Sequence, residues 1–235
     1  MRFGSSKKWF FGSLAAVFLV LDGAAIAGET ESLIARGGRL YDAWYKENKA
    51  EKPADNHPAY ANKAGEYGGA DSWRCKECHG WDNKGKDGAY SKGKHFTGIV
   101  GITGSVGKDV AAIASMLRTG PHNYTEKQLS DVDVQALAMF VSAGQVDLSK
   151  YINGEGKPIG DGVKGEAYFN TLCAGCHGVD GKKIKEAPLG AVAGNTPEMM
   201  HKVLNGQPGE AMPALRALDH QIAADITVHL QTLPE

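Results

Sequence analysis

The chain has 235 residues, of which 42% are hydrophobic and 23% charged, values ordinary for a soluble globular protein. Its 26 Lys and Arg nearly balance 27 Asp and Glu, and a net charge of −1 excludes a broadly basic nucleic-acid binder. The length is enough for two small domains.

Arg2, Lys7 and Lys8 form a basic start, an apolar run extends from Trp9 to Leu21, and Ala25-Ile26-Ala27 is a small-residue cleavage pattern. Asp22 interrupts a run already too short to span a bilayer comfortably. Residues 1–27 therefore read as an export signal cut after Ala27, the other reading being an uncleaved N-terminal anchor. No later segment approaches the length of a membrane span.

Beyond the signal, the chain is an internal repeat of low fidelity. In the first copy, residues 28–145, Gly37 and Tyr41 stand four apart on a predicted helix. A polar insertion at 46–73 follows, with Pro53, Pro58, Gly65, Gly68 and Gly69. It reads as an ordered or semi-ordered loop, either a partner-docking or cofactor-covering flap or a surface elaboration. Then come Cys75-Lys76-Glu77-Cys78-His79, a helix near 110–119 ending at Gly120, and a closing helix near 130–142. Val134, Leu137, Ala138 and Val141 face inward on that last helix, and Asp131 and Asp133 sit at its anion-favouring start. Residues 146–162, rich in glycine, read as a linker.

The second copy, residues 163–235, is cleaner. Gly165 and Phe169, again four apart, precede Cys173-Ala174-Gly175-Cys176-His177. A short amphipathic helix is expected near 196–205, then Met212-Pro213, then a closing helix near 218–230 with Leu218, Ile222, Ile226 and Leu230 as one apolar stripe.

All four cysteines belong to the two Cys-x-x-Cys-His motifs. Such a motif reads as the attachment site of c-type haem: two thiols bond to the porphyrin as thioethers, and the histidine becomes the proximal iron ligand. A redox disulfide would belong on a strand-to-helix turn of a βαβ unit, which nothing here suggests. A four-thiolate zinc site would need its pairs about 15–20 residues apart, far closer than Cys75 is to Cys173. The motifs therefore predict two haem c groups, on Cys75, Cys78 and His79 and on Cys173, Cys176 and His177. Haem c is attached outside the cytoplasm, which agrees with the export signal and points to a bacterial periplasm.

With the haem motifs, Met212-Pro213 and the closing helices on the page, each copy resembles a class I cytochrome c, and the whole resembles the tandem two-haem cytochromes of bacterial periplasms. The resemblance implies an all-α fold of two domains, each wrapped around one haem. In that family an N-terminal helix crosses the C-terminal one through a glycine and an aromatic. Gly37 and Tyr41 against Phe140, and Gly165 and Phe169 near His229, hold those positions. Met212 would be the distal thioether of the second haem. The first copy has no Met-Pro. Aligning the closing helices on Leu129 and Leu218 sets Met212 opposite Asn123, one position from His122, which is assigned as the distal ligand of haem one. Met116 and Met139 read first as core packing, and both stay, with His57 and His95, as alternatives for that ligand. His201, His220 and His229 read as surface or packing residues, and Met199 and Met200 as helix packing.

The resemblance implies a carrier of single electrons between redox proteins rather than an enzyme. The alternative is a haem-c subunit of a periplasmic oxidoreductase, or such an enzyme itself, a peroxidase or one oxidising sulfur compounds. Lys84, Lys86, Lys92 and Lys94 after the first motif, and Lys182, Lys183 and Lys185 after the second, could steer an acidic partner.

Overall fold

The computed structural model describes Met1, residues 15–60 and residues 67–235, with side chains placed from residue 28 onward in the first helix. The export signal expected at 1–27 lies largely outside the described residues. Among the described residues the regular elements are helical: α1 (Ala15–Glu47), α2 (Cys75–His79), α3 (Val110–Arg118), α4 (Asp131–Met139), α5 (Gly162–Leu172), α6 (Ala174–His177), α7 (Leu189–Val192), α8 (Thr196–Asn205) and α9 (His220–Leu230). Extended structure there amounts to two isolated bridges, Gly85 with Val100 and Ile152 with Pro158. The fold is all-α. No described helix is long and apolar enough to cross a membrane.

Two hydrophobic clusters form, each around a helix crossing. In the first, α1 crosses α4 and buries Leu40, Tyr41, Trp44, Leu137 and Phe140. In the second, α5 crosses α9 and buries Phe169, Met200, Leu204, Ile226 and Leu230. The crossings are close because a glycine faces a carbonyl at each. A Cβ on Gly37 would lie 2.1 Å from the Ala136 oxygen, and one on Gly165 would lie 2.0 Å from the Asp225 oxygen. One turn further on, Tyr41 meets Phe140 and Phe169 meets His229, both with ring centroids 5.2 Å apart. The same spacing of 89 residues relates Ala136 to Asp225, Phe140 to His229, and the helix caps Ser130 to Asp219.

The caps explain where the closing helices start. Ser130 and Asp133 form a reciprocal capping box, and Asp219 accepts from the Gln221 N–H. Leu218 therefore precedes α9 and is 46% exposed, so the expected stripe is reduced to Ile222, Ile226 and Leu230. The first closing helix also departs from expectation, passing at Phe140 into a π turn, Phe140–Gly144. Residues 146–162 are no open linker: Val146, Leu148, Tyr151 and Ile152 pack on the second cluster.

The two halves share a polar junction. The outer face of α1 lies on α8, where His201 is buried and donates through Nε2 to the Gly38 carbonyl at 2.9 Å. Arg39 donates to the Asn205 carbonyl at 2.9 Å. Arg216 reaches the Gly144 carbonyl at 2.9 Å and Glu31 at 3.1 Å. Asp42, only 2% exposed, pairs with Arg74 of the first half and with Lys202 of the second, the latter at 2.7 Å. Burial opposes its ionisation, but Lys202 and Arg74 outweigh this and hold its carboxyl down at about 2. Both partners are needed, because a buried carboxylate left with one would be poorly compensated.

Candidate haem sites

The two Cys-x-x-Cys-His segments fold into the same turn, 98 residues apart. Each motif ends on a glycine in the left-handed region, Gly80 at φ 79° and Gly178 at φ 80°. The Gly80 N–H returns to the Lys76 carbonyl at 2.9 Å, and the Gly178 N–H to the Ala174 carbonyl at 2.8 Å. The histidine carbonyls accept from Gly85 at 2.8 Å and from Lys183 at 2.9 Å. Asp82 and Asp180 each accept from the N–H two residues on. Short helical turns thus set both cysteines and the histidine in one fixed relation, twice.

What surrounds the turns differs. In the first, Lys76 and Glu77 are buried, paired at 2.7 Å, and Glu77 also accepts from His95 at 2.7 Å. His95 is stacked between Tyr67 and Tyr90 at 4.3 and 4.4 Å. The Tyr41 hydroxyl donates to the Gly80 carbonyl at 2.7 Å, tying the turn to α1. In the second turn Gly175 and Cys176 are exposed, and Phe169 has no hydroxyl to make the equivalent bond.

The imidazoles differ too. Nδ1 of His79 lies 2.7 Å from the Val100 carbonyl, which fixes the proton there and leaves Nε2 as the free lone pair. The Gly85–Val100 bridge brings that carbonyl into place. Nδ1 of His177 is buried with no hydrogen-bond partner. Burial lowers the proton affinity of His79, His122 and His177, so each is a neutral imidazole able to bind a metal. Burial also pushes the thiols of Cys75 and Cys78 up to about 12 and that of Cys173 to about 11.

His122 faces His79. Their ring centroids are 6.1 Å apart with the planes at 37°. Two imidazoles on opposite sides of one metal, each bound at about 2 Å, put their centroids about 6 Å apart. His57 and His95 are not brought to this position: His57 is buried against Trp73 at 4.5 Å, and His95 is held by Glu77 and its two tyrosines. Met139 is partly buried on the first cluster. Met116 is 54% exposed and does not pack in the core, a correction to its sequence assignment. It occupies the outer side of the last turn of α3, whose inner side is Ile113 and Leu117. Met212 is half-buried in an irregular segment, and its carbonyl lies against Gly206. Leu215 and Arg216 fasten that segment to the Val203 and Leu204 carbonyls of α8, each at 3.1 Å.

The surroundings suit an apolar macrocycle. Around the second motif Leu172, Val179, Ile184 and Val192 stand exposed, and near the first so do Phe96, Val100 and Met116. Sequence reasoning did not identify the Val100 carbonyl or the aromatic cluster of Trp44, Trp73 and Tyr124 behind the first site. The density of aromatic residues beside the motif was the available signal.

Residues 160–230 match the family model for cytochrome C oxidase, cbb3-type, subunit III. The match spans α5 to α9 and takes in the second motif and Met212. No curated protein and no solved structure matches the chain. The chain thus contains, at residues 160–230, a cytochrome c domain, of the kind that binds haem c covalently and transfers electrons.

Proposed function

We propose that the whole chain is a tandem two-haem cytochrome c that passes single electrons between redox proteins in the periplasm. The observation that carries the reading is the pair of Cys-x-x-Cys-His turns closed by the same hydrogen bonds, each beside a glycine-aromatic helix crossing. Residues 28–145 would then be a second domain like that at 163–235, elaborated by the 46–73 insertion. Haem c supplies a one-electron ferric/ferrous couple. Cys75 and Cys78, and Cys173 and Cys176, are the thioether attachments in this reading, and His79 and His177 the proximal ligands.

His122 and Met212 set the order of the two sites. The 6.1 Å separation of the His79 and His122 rings supports a bis-imidazole site, which favours the ferric state and a low potential. A thioether from Met212 favours the ferrous state at the second site. Electrons then run from the first site to the second. With both positions filled at each site, peroxide finds no vacant place, which argues for a carrier over a peroxidase. The exposed lysines beside both turns suit an acidic partner. The basic-apolar-small pattern of residues 1–27 and the extracytoplasmic attachment of haem c support export.

Denatured-protein mass spectrometry tests the core of this reading. The expected mass is that of the chain from Gly28 plus two haems, and one haem or none overturns it. Near-infrared absorption and low-temperature EPR of the oxidised protein then count one methionine-ligated and one bis-imidazole iron.

A further inference from the structure

We propose that the described parts of the 46–73 insertion, residues 46–60 and 67–73, are a buttress for the loop that carries His122, with His57 and Trp73 as its positioning residues. The inference rests on reading His122 as the second ligand of site one. The second half has no such insertion: α5 runs straight into its motif, the Cys173 N–H bonding to the Phe169 carbonyl at 2.8 Å. Only the half with a histidine on a free-standing loop has the extra segment.

That loop is weakly held from within. It leaves α3 at Thr119 and turns through Gly120 and Asn123, both left-handed at φ 60° and 47°. Its main-chain bonds are few, Asn123 N–H to the Thr119 carbonyl at 3.4 Å and Tyr124 N–H to the Leu117 carbonyl at 3.1 Å. Nδ1 of His122 is buried and makes no hydrogen bond of normal geometry, although the Met116 carbonyl lies close enough to raise its proton affinity. The support comes from behind. Tyr124, two residues after His122, is buried among Trp44, Trp73 and His57, with ring centroids 6.0, 5.9 and 5.8 Å away. Its hydroxyl donates to the Trp73 carbonyl at 3.1 Å.

The insertion fixes these partners in turn. Trp73 donates through its indole N–H to the Asp55 carbonyl at 2.8 Å. The His57 ring lies edge-on to Trp73 at 4.5 Å, and its main-chain N–H donates to the Ser72 hydroxyl at 2.8 Å. Nδ1 of His57 accepts from the Ala59 N–H at 3.1 Å, so the ring proton is on Nε2. That side of the ring lies near the main-chain carbonyl of His122, without a hydrogen bond of normal geometry. The insertion therefore holds the aromatic two residues beyond the ligand, through ring packing and the Tyr124 hydroxyl, and lies beside the ligand's own peptide group. A ligand on a loop needs such support to stay within bonding distance. Met212 has its own, through the ties of Leu215 and Arg216 to α8.

The test uses the full-length, haem-loaded protein, ferric EPR and the rate of cyanide binding. His57→Leu is expected to turn part of site one from low to high spin and to speed cyanide binding about two- to tenfold, the worth of one net hydrogen bond. Haem content and the methionine-ligated site should not change, and His57→Gln, which keeps a donor, should return towards the parent. Should His57→Leu fail to fold, Ser72→Ala, which frees the His57 N–H and the Gly69 carbonyl, is expected to shift spin state and rate in the same direction. Folded variants with the parental spin state and cyanide rate overturn the buttress alone. A parent protein without a bis-imidazole signal, or His122→Gly with unchanged spectra, overturns the ligand reading and the buttress with it.

Discussion

The two motif turns have the same backbone and different walls. Around Cys75–His79 the protein supplies a buried Lys76–Glu77 pair, a stacked His95, a tyrosine tie to α1 and a carbonyl for the imidazole. Around Ala174–His177 the variable positions are alanine and glycine, and the imidazole Nδ1 has no partner. The first site is held by its own side chains before any cofactor is considered. The second leaves much more of its order to whatever fills it, which is what a domain of minimal size would do.

Replacing cysteines should break the comparison most severely. Cys173→Ala with Cys176→Ala is expected to remove one haem mass and the cooperative melting of the second half. Cys75→Ala with Cys78→Ala should also remove one haem but keep more of the first half's helicity. Mass spectrometry with far-UV circular dichroism reads both, and equal helicity losses would show that the extra walls contribute nothing. Next come the crossings. Gly37→Ala and Gly165→Ala each drive a Cβ into a carbonyl and should destabilise their half by about 1–3 kcal/mol. A melting curve resolving two transitions would show which half yields.

The ligands sharpen the comparison without unfolding either half. His122→Gly should open site one, shift it to high spin and let added imidazole restore low spin. Met212→Ala should lower the potential of site two or leave it able to bind carbon monoxide. A variant with unchanged spectrum and potential removes that residue from the ligand set.

The smallest effect is a pH dependence at the junction. Burial depresses His201 to about 4, with Asp42, Lys202 and Arg216 as the charges around it. As pH falls, the unfolded chain takes up this proton first, from about 6.5. The stability that rests on a neutral His201 is therefore complete above about pH 6.5 and lost as pH falls to about 4, by about 3–4 kcal/mol at most. Asp42, held at about 2, stays charged throughout that window and adds its own loss only below about pH 4. His201→Gln should flatten the denaturation midpoint between pH 4 and 6.5.

Much of this was legible in the sequence because it was local. The helix at Thr196–Asn205 and the inward face of α4 follow from spacing along one element, and the glycine-aromatic crossings follow from the family resemblance. Leu218 was misassigned because apolar periodicity does not say which polar residue caps the helix, and Asp219 does so. Met116 fits a helical stripe yet lies on its outer edge. The junction was invisible: Asp42, His201 and Arg216 meet partners 72 to 185 positions away, and no periodicity encodes that. His122 lay between these cases, legible only once a common register for the closing helices had been assumed.

The junction also bears on the order in which the molecule is built. Asp42 and Gly38 leave the ribosome with α1, yet their partners Lys202 and His201 follow about 160 residues later. Until then α1 has one face closed by its own half and the other, with the Asp42 carboxylate, in water. Closing a loop of that length costs conformational entropy that only an already folded α8 can offset. The first motif can thus be complete while the last third of the chain is still arriving, and joining of the halves is the final event. A nascent chain stopped near residue 145 would be a compact but half-covered species, vulnerable to proteases at the face that α8 later hides.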